Sequence, residues 1–282
     1  MNWARVKTIL IIVFLIVNIF LLFKVNQKYS QKELKAEEIS NLKNLLSSNE
    51  IVLEAALPAQ IKLLPRMKVT NYIVEENQTT NKILGTSKWK VINNGVEQIY
   101  SSDRKQLKYD GNGFVEYTID IGKEEALKLL SNEIKAKEVI RNTLNKYLKL
   151  DKYTEGNVSR SKNGIIIEYL YFSNKSEILN NYINVNVIPE GEIIIRQGLI
   201  EDNGFTSKSK KITPVDMIIE LVRVLKDKGK TTVKEISIGY YADLNKANEI
   251  VRFGEADPAW KVKTDRGTFI FDAYTGIMKA RF

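Results

Sequence analysis

Thr213–Tyr241 reads TPVDMIIELVRVLKDKGKTTVKEISIGYY. Thr213 ahead of Pro214 is an N-cap followed by a first-turn proline, whose missing N–H is one that no helical carbonyl could have met. Met217, Ile218, Leu221, Val222 and Leu225 recur at helical spacing, and the helix is expected to stop near Lys228-Gly229. Strands are expected at Thr232 to Tyr241, Ala259 to Thr264 and Thr268 to Asp272. The last one closes in the turn Asp272-Ala273-Tyr274-Thr275-Gly276, followed by Ile277-Met278-Lys279. A helix followed by an antiparallel meander packs the helix across one sheet face, which makes the fold class α+β.

The segment before it repeats this plan without useful residue identity. A helix is expected from Lys123 to Leu148, with Leu127, Leu130, Ile134, Ala136, Ile140, Leu144 and Leu148 on helical spacing. Strand-like runs follow at Thr154 to Ser159, Gly164 to Phe172, Ile183 to Pro189 and Glu192 to Ile200, with turns at Lys162-Asn163-Gly164 and Pro189-Glu190-Gly191. Gly204-Phe205-Thr206-Ser207 and then Lys208, Lys210 and Lys211 read as a surface loop leading into the Thr213 helix. Contact with anionic wall polymer or lipid headgroups is the sharper alternative.

Farther out, Pro58 and Pro65 interrupt any helix after Glu50. Val69 to Glu75 and Ser87 to Ile92 read as strands, and Asn93-Asn94-Gly95 as a turn. Lys105 to Tyr109 and Phe114 to Ile121 form a hairpin around Asp110-Gly111-Asn112-Gly113. That cluster lacks EF-hand spacing. Tyr29 to Ser48 has no Gly or Pro and carries an imperfect stripe of Leu34, Ile39, Leu42, Leu45 and Leu46. Two readings stay open there: a stalk helix continuing from the membrane, or a helix packing on the domain below. The expected divisions are 1–28, cytoplasmic tip and transmembrane anchor; 29–49, juxtamembrane stalk helix; 50–122, β-rich lobe; and 123–205 and 206–282, two helix-meander units.

The N-terminus carries ILIIVFLIVNIFLLF, Ile9 to Phe23, broken only by Asn18. Val6, Thr8 and Val25 extend the run if Lys7 and Lys24 snorkel to the interfaces, and about 20 residues at about 1.5 Å rise cover a hydrocarbon core about 30 Å thick. Trp3 and Arg5 join these two lysines as interface anchors. No small-x-small cleavage site follows, so an uncleaved single-pass anchor is expected rather than a signal peptide. Charge leaves the orientation open: Arg5 and Lys7 precede the helix, and Lys24, Lys28, Lys32 and Lys35 follow it.

The composition excludes whole classes of chemistry. The 282 residues contain no Cys and no His. Disulfides, thiolate nucleophiles, imidazole metal ligands and Ser-His-Asp triads therefore fall away, and no cofactor or metal site is expected. Carboxylate chemistry survives, but Glu168, Glu192 and Asp257 cannot be paired from the sequence. The 43 Lys plus Arg against 34 Asp plus Glu are dispersed, and no aromatic-basic motif points to nucleic acid.

Two stretches resemble a known family. The opening Asn2-Trp3, Arg5, Lys7-Thr8-Ile9 and the Phe14-Leu15 to Phe20-Leu21-Leu22 helix are similar to the start of YycI (WalI) proteins. Position 2 departs from that pattern, with Asn in place of Asp. Pro258-Ala259-Trp260-Lys261-Val262, Gly267, Phe269 and Phe271-Asp272-Ala273-Tyr274-Thr275-Gly276 resemble the last hairpin of a PepSY-like unit. The resemblance implies a membrane-anchored regulatory companion of the WalK (YycG) sensor histidine kinase, with its bulk outside the cell membrane. It would act beside a YycH-like partner and tune cell-wall metabolism. It also implies a non-enzyme, and leaves homo- and hetero-dimer both open.

The residues make that role physically workable. Ile11, Phe14, Asn18, Leu21 and Val25 share one helix face at three- and four-residue steps. An interhelical hydrogen bond from Asn18 is worth about 0.6–2 kcal/mol, enough to choose a partner or register. Local backbone bonding of Asn18 is the competing reading. Trp260, Phe269, Phe271 and Tyr274 read as a cross-strand core cluster, with Asp272 and Gly276 organising the turn. Two other functions compete: a PepSY-type module that restrains a peptidase or binds peptide at a sheet edge, and an anchored carboxylate hydrolase.

Overall fold

The computed structural model describes Lys7 and residues 10–21, 33–71, 90–93, 98–102, 105–109, 114–147, 150–161, 163–246, 249–250 and 253–282. Among the described residues, strands dominate an α+β fold with five helices. The first helix, α1, covers residues 10–21. Fifteen strands join in one sheet whose two halves each carry their own helices and core.

The C-terminal half is built on the opening stretch of the sequence. Helix α5 (Val215–Leu225) starts where the Thr213 hydroxyl accepts the Val215 N–H at 3.3 Å. It buries Met217, Ile218, Leu221 and Leu225. Beneath it lie β12 (Thr231–Ala242), β15 (Phe253–Thr264) and β16 (Gly267–Asp272), antiparallel in that order, with β17 (Met278–Arg281) beyond; between β12 and β15 in the chain, β13 (Asn245–Lys246) and β14 (Glu249–Ile250) pair with each other. Three elements from elsewhere in the chain complete this half. The short β1 (Ile51–Leu53) pairs parallel with β12, so the half is not a pure antiparallel meander. β2 (Lys62–Asn71) inserts between β15 and β11 (Ile200–Ile212). Helix α2 (Ala36–Ser48) docks beside α5 and buries Leu42 and Leu46, with Leu34 just before it, in the same core. Of the two readings left open for Tyr29 to Ser48, packing on the domain is the one seen for α2.

The other half contains β3 (Lys90–Asn93), β4 (Gln98–Ser102), β5 (Lys105–Tyr109), β6 (Phe114–Asp120), β7 (Tyr153–Ser161), β8 (Gly164–Ser173), β9 (Ser176–Ile188) and β10 (Glu192–Gly198). Residues 50–122 therefore supply β1 and β2 to one half and β3–β6 to the other. The helix expected over Lys123 to Leu148 is two: α3 (Lys123–Ser131) and α4 (Glu133–Tyr147). Asn132 is extended between them, and its side-chain oxygen accepts the Lys135 N–H at 3.0 Å. An asparagine at a helix start captures free amides better than it continues a helix, so it ends one and begins the next. The break also re-aims the apolar stripe. Ala126, Leu129, Ala136, Ile140 and Leu144 are buried, whereas Ile134 is 81% exposed.

A second correction concerns residues 204–211. The expected surface loop is strand, part of β11, and forms one margin of the sheet. Two register shifts against β2, between Asp202 and Phe205 and between Phe205 and Ser209, absorb the glycine and polar residues that suggested a loop. The turns expected at Asn93-Asn94-Gly95 and Asp110-Gly111-Asn112-Gly113 fall largely or wholly outside the described residues.

The halves meet where β9 approaches β12. Ile178 and Tyr240 form a parallel bridge. The Asn180 amide donates to the Ala242 carbonyl at 2.7 Å, and its oxygen accepts the Ala242 N–H at 3.1 Å. Gly239 permits this approach, since a Cβ there would stand 2.6 Å from the Glu177 carbonyl oxygen.

Candidate functional site

Helix α1 is the most exposed apolar element among the described residues. Ile11, Phe14, Asn18 and Leu21 lie on one face, as the three- and four-residue steps require, and every residue from 10 to 21 is exposed. The Asn18 amide donates to the Phe14 carbonyl at 2.8 Å, so one of its donors is met inside the helix. Lys7 is helical and exposed. Val25, Trp3, Arg5 and Lys24 lie outside the described residues. Among the described residues, no helix is long and apolar enough to cross a membrane.

The C-terminal hairpin sits in the core. Trp260 pairs with Phe271 and Val262 with Phe269 across β15 and β16. Trp260, Phe269 and Phe271 are buried against Met217 and Leu221 of α5. Asp272 accepts the Tyr274 and Thr275 N–H groups, each at 2.9 Å, and its backbone carbonyl accepts the Gly276 N–H at 2.8 Å. Gly276 has φ +75°, and a Cβ there would meet Asp216 at 2.6 Å. Tyr274 donates to the Leu64 carbonyl at 2.9 Å, tying the turn to β2. Burial, first, and the nearby Asp257 push the Tyr274 phenol up to about 12.

The acids named from the sequence lie on three different strands. Glu192 is on β10, opposite Asp120. Asp257, on β15, has the Arg66 guanidinium 2.7 Å away, yet burial outweighs that attraction and holds its carboxyl above the usual range. Glu168 lines a cleft of about 190 Å³ at the joint between the halves, with Glu177, Asn184, Lys261 and Lys263. Glu177 is committed there to Lys261, and both side chains are nearly buried. The cleft thus presents an ion pair where glycoside hydrolysis needs two acids of differing protonation. No group of acids able to hold a metal ion occurs among the described residues.

A second depression, about 680 Å³ and mainly apolar, lies between α2 and β1. Leu46, Ile51, Leu53 and Leu57 line it, with Lys43 and Lys230 beside them. Glu177 and Asn180, which join the halves, escaped the sequence reading, and Lys261 entered it only as part of the Trp260 strand. Glu177 and Lys261 stand 84 residues apart, and only the folded chain brings them together.

Residues 29–274 match the family model described as YycI protein. The chain belongs to the YycI family. Membership carries a regulatory role in the YycG (WalK) two-component system. Among solved structures, an uncharacterized protein from Eubacterium rectale is similar in fold at 11% identity and TM-score 0.53, over 86% of this chain and 98% of that one. The Bacillus megaterium YpeB C-terminal domain matches at 10% identity and TM-score 0.34, over 89% of this chain and 98% of that one. No curated protein matches the chain.

Proposed function

We propose that this YycI-family protein is a membrane-anchored, non-enzymatic regulator. It binds a WalK/YycG-like histidine kinase together with a YycH-like partner and tunes kinase output in the control of cell-wall metabolism. The observation that carries the reading is α1: an apolar helix exposed on every side, in a chain of this family. In water that surface is costly; in a bilayer against another helix it is satisfied. The run continues in sequence to Phe23, and with Lys7 and Lys24 at its ends it forms a single-pass anchor, the bulk of the chain lying outside.

The mechanism is differential affinity. The anchor face of Ile11, Phe14, Asn18, Leu21 and Val25 meets the kinase differently in its two states, and a difference of about 1–3 kcal/mol shifts activity roughly 5- to 150-fold. Capture from detergent-solubilised membranes tests it. The full chain is expected to retain kinase and YycH-like protein, and a chain lacking residues 1–28 to lose them. Equal capture by both would contradict the role given to α1.

A second reading rests on the apolar depression between α2 and β1. In a PepSY-type module this groove takes a peptide outside the membrane, or restrains a peptidase. The anchorless chain would then act on its target as well as the full chain does.

A further inference from the structure

We infer that the lysine-bearing end of the β2–β11 margin lies against anionic lipid headgroups, seating the folded domain on the membrane that holds α1. This rests on the anchored reading above.

The placement follows from where the chain enters the fold. Glu33 bridges to Gln60, and the Leu34 N–H donates to the Ala59 carbonyl at 2.8 Å. Two residues after Gln60, β2 begins at Lys62, which lies opposite Ile212. At about 3.3 Å per residue, the Lys62 end of β2 is within some 10 Å of the entry point. Because β11 runs antiparallel to β2, Lys208, Lys210 and Lys211 come to this same end, and the acids Glu201 and Asp202 lie toward the other.

Charge and exposure agree with the placement. From Asn203 to Thr213, and from Lys62 to Asn71, the two strands contain no acid. Their basic residues are Lys62, Arg66, Lys68, Lys208, Lys210 and Lys211. Glu255 and Asp257 occupy Arg66, whereas none of the five lysines has an ion-pair partner among the described residues, and Lys210 lies over the Tyr274 ring at 5.3 Å. Leu63, opposite Lys211, is 60% exposed, a large apolar side chain beside a cation. Ammonium groups at headgroup level with an aliphatic chain below them suit an anionic bilayer surface. Glu33, Glu37 and Glu38 stand near the entry and offset part of the field. Lysines along a sheet margin also deter strand pairing, but that accounts for neither their grouping at the entry end nor the exposed Leu63.

The test uses the full chain in nanodiscs whose headgroups carry a fluorescence quencher. The chain has no cysteine, so Ser209→Cys on exposed β11 and Lys135→Cys on α4 each place a single dye. Discs with phosphatidylglycerol are expected to quench the Ser209→Cys dye more than phosphatidylcholine discs do, and the Lys135→Cys dye equally little in both. Three lysines at the surface raise the contact constant roughly a hundredfold, so Lys208→Gln, Lys210→Gln and Lys211→Gln together should remove most of the difference, Lys62 remaining. About 1 M salt should abolish it, since screening then acts within about 3 Å. Equal quenching in the two kinds of disc overturns the inference. A Ser209→Cys dye that responds to soluble poly(glycerol phosphate) and not to the bilayer overturns it in favour of a wall polymer. A chain that enters neither disc removes the anchored reading itself, a result distinct from the others.

Discussion

Gly239 and Asn18 show how much single atoms carry. A Cβ on Gly239 would meet a backbone oxygen of β9 at 2.6 Å, so the joint between the halves depends on its absence. Gly239→Ala is therefore expected to lose about 1–3 kcal/mol in urea unfolding, as overpacking does. Asp202 gives a pH signature. Burial would raise its carboxyl, but hydrogen bonds from Ser173 and Lys152 and the Lys152 charge outweigh it, leaving the carboxyl below its ordinary 3.8. A carboxylate depressed on folding stabilises the fold above its unfolded pKa, and the contribution disappears as pH falls through the folded one. Asp202→Asn should thus be less stable than the parent at pH 7, with the gap in melting temperature narrowing only below about pH 4. Asn18→Leu, outside both cores, should leave the melting temperature unchanged and alter kinase reporter output at matched expression. Unaltered output would remove Asn18 from the partner face.

Among the elements, α5 was legible because its capping and apolar period agree over one short stretch, although the helix ends at Leu225, ahead of the stop expected near Lys228-Gly229. The Lys123–Tyr147 region was not, since Leu127 and Ile134 continue the period through Asn132, and only capping geometry shows the chain starting a new helix there. Asn132→Ala should cost about 1 kcal/mol, read as a lower urea midpoint at unchanged slope. β11 was hidden by Gly204 and its serines and lysines, which read as loop until β2 supplies the partner strand. That partner lies far away in sequence, as do β12 for β1 and β15 for β2, and no local pattern reports such pairings. The hairpin of Trp260, Phe269, Phe271, Asp272 and Gly276 was readable because its contacts are local, whereas the Glu177–Lys261 joint was not because its contacts are distant.

At the scale of the whole molecule, two helix-covered halves share one sheet and meet at β9 and β12, and an apolar helix stands outside both cores. Under the proposed function, the helix would supply proximity and register, and the folded domain would supply surface. Reconstitution of the kinase in bilayers, with and without this chain at equal kinase density, measures that claim most directly through the rate of kinase autophosphorylation. The account predicts that the full chain changes the rate and that the chain without residues 1–28, added at the same concentration, does not. An identical rate in all three preparations would contradict it.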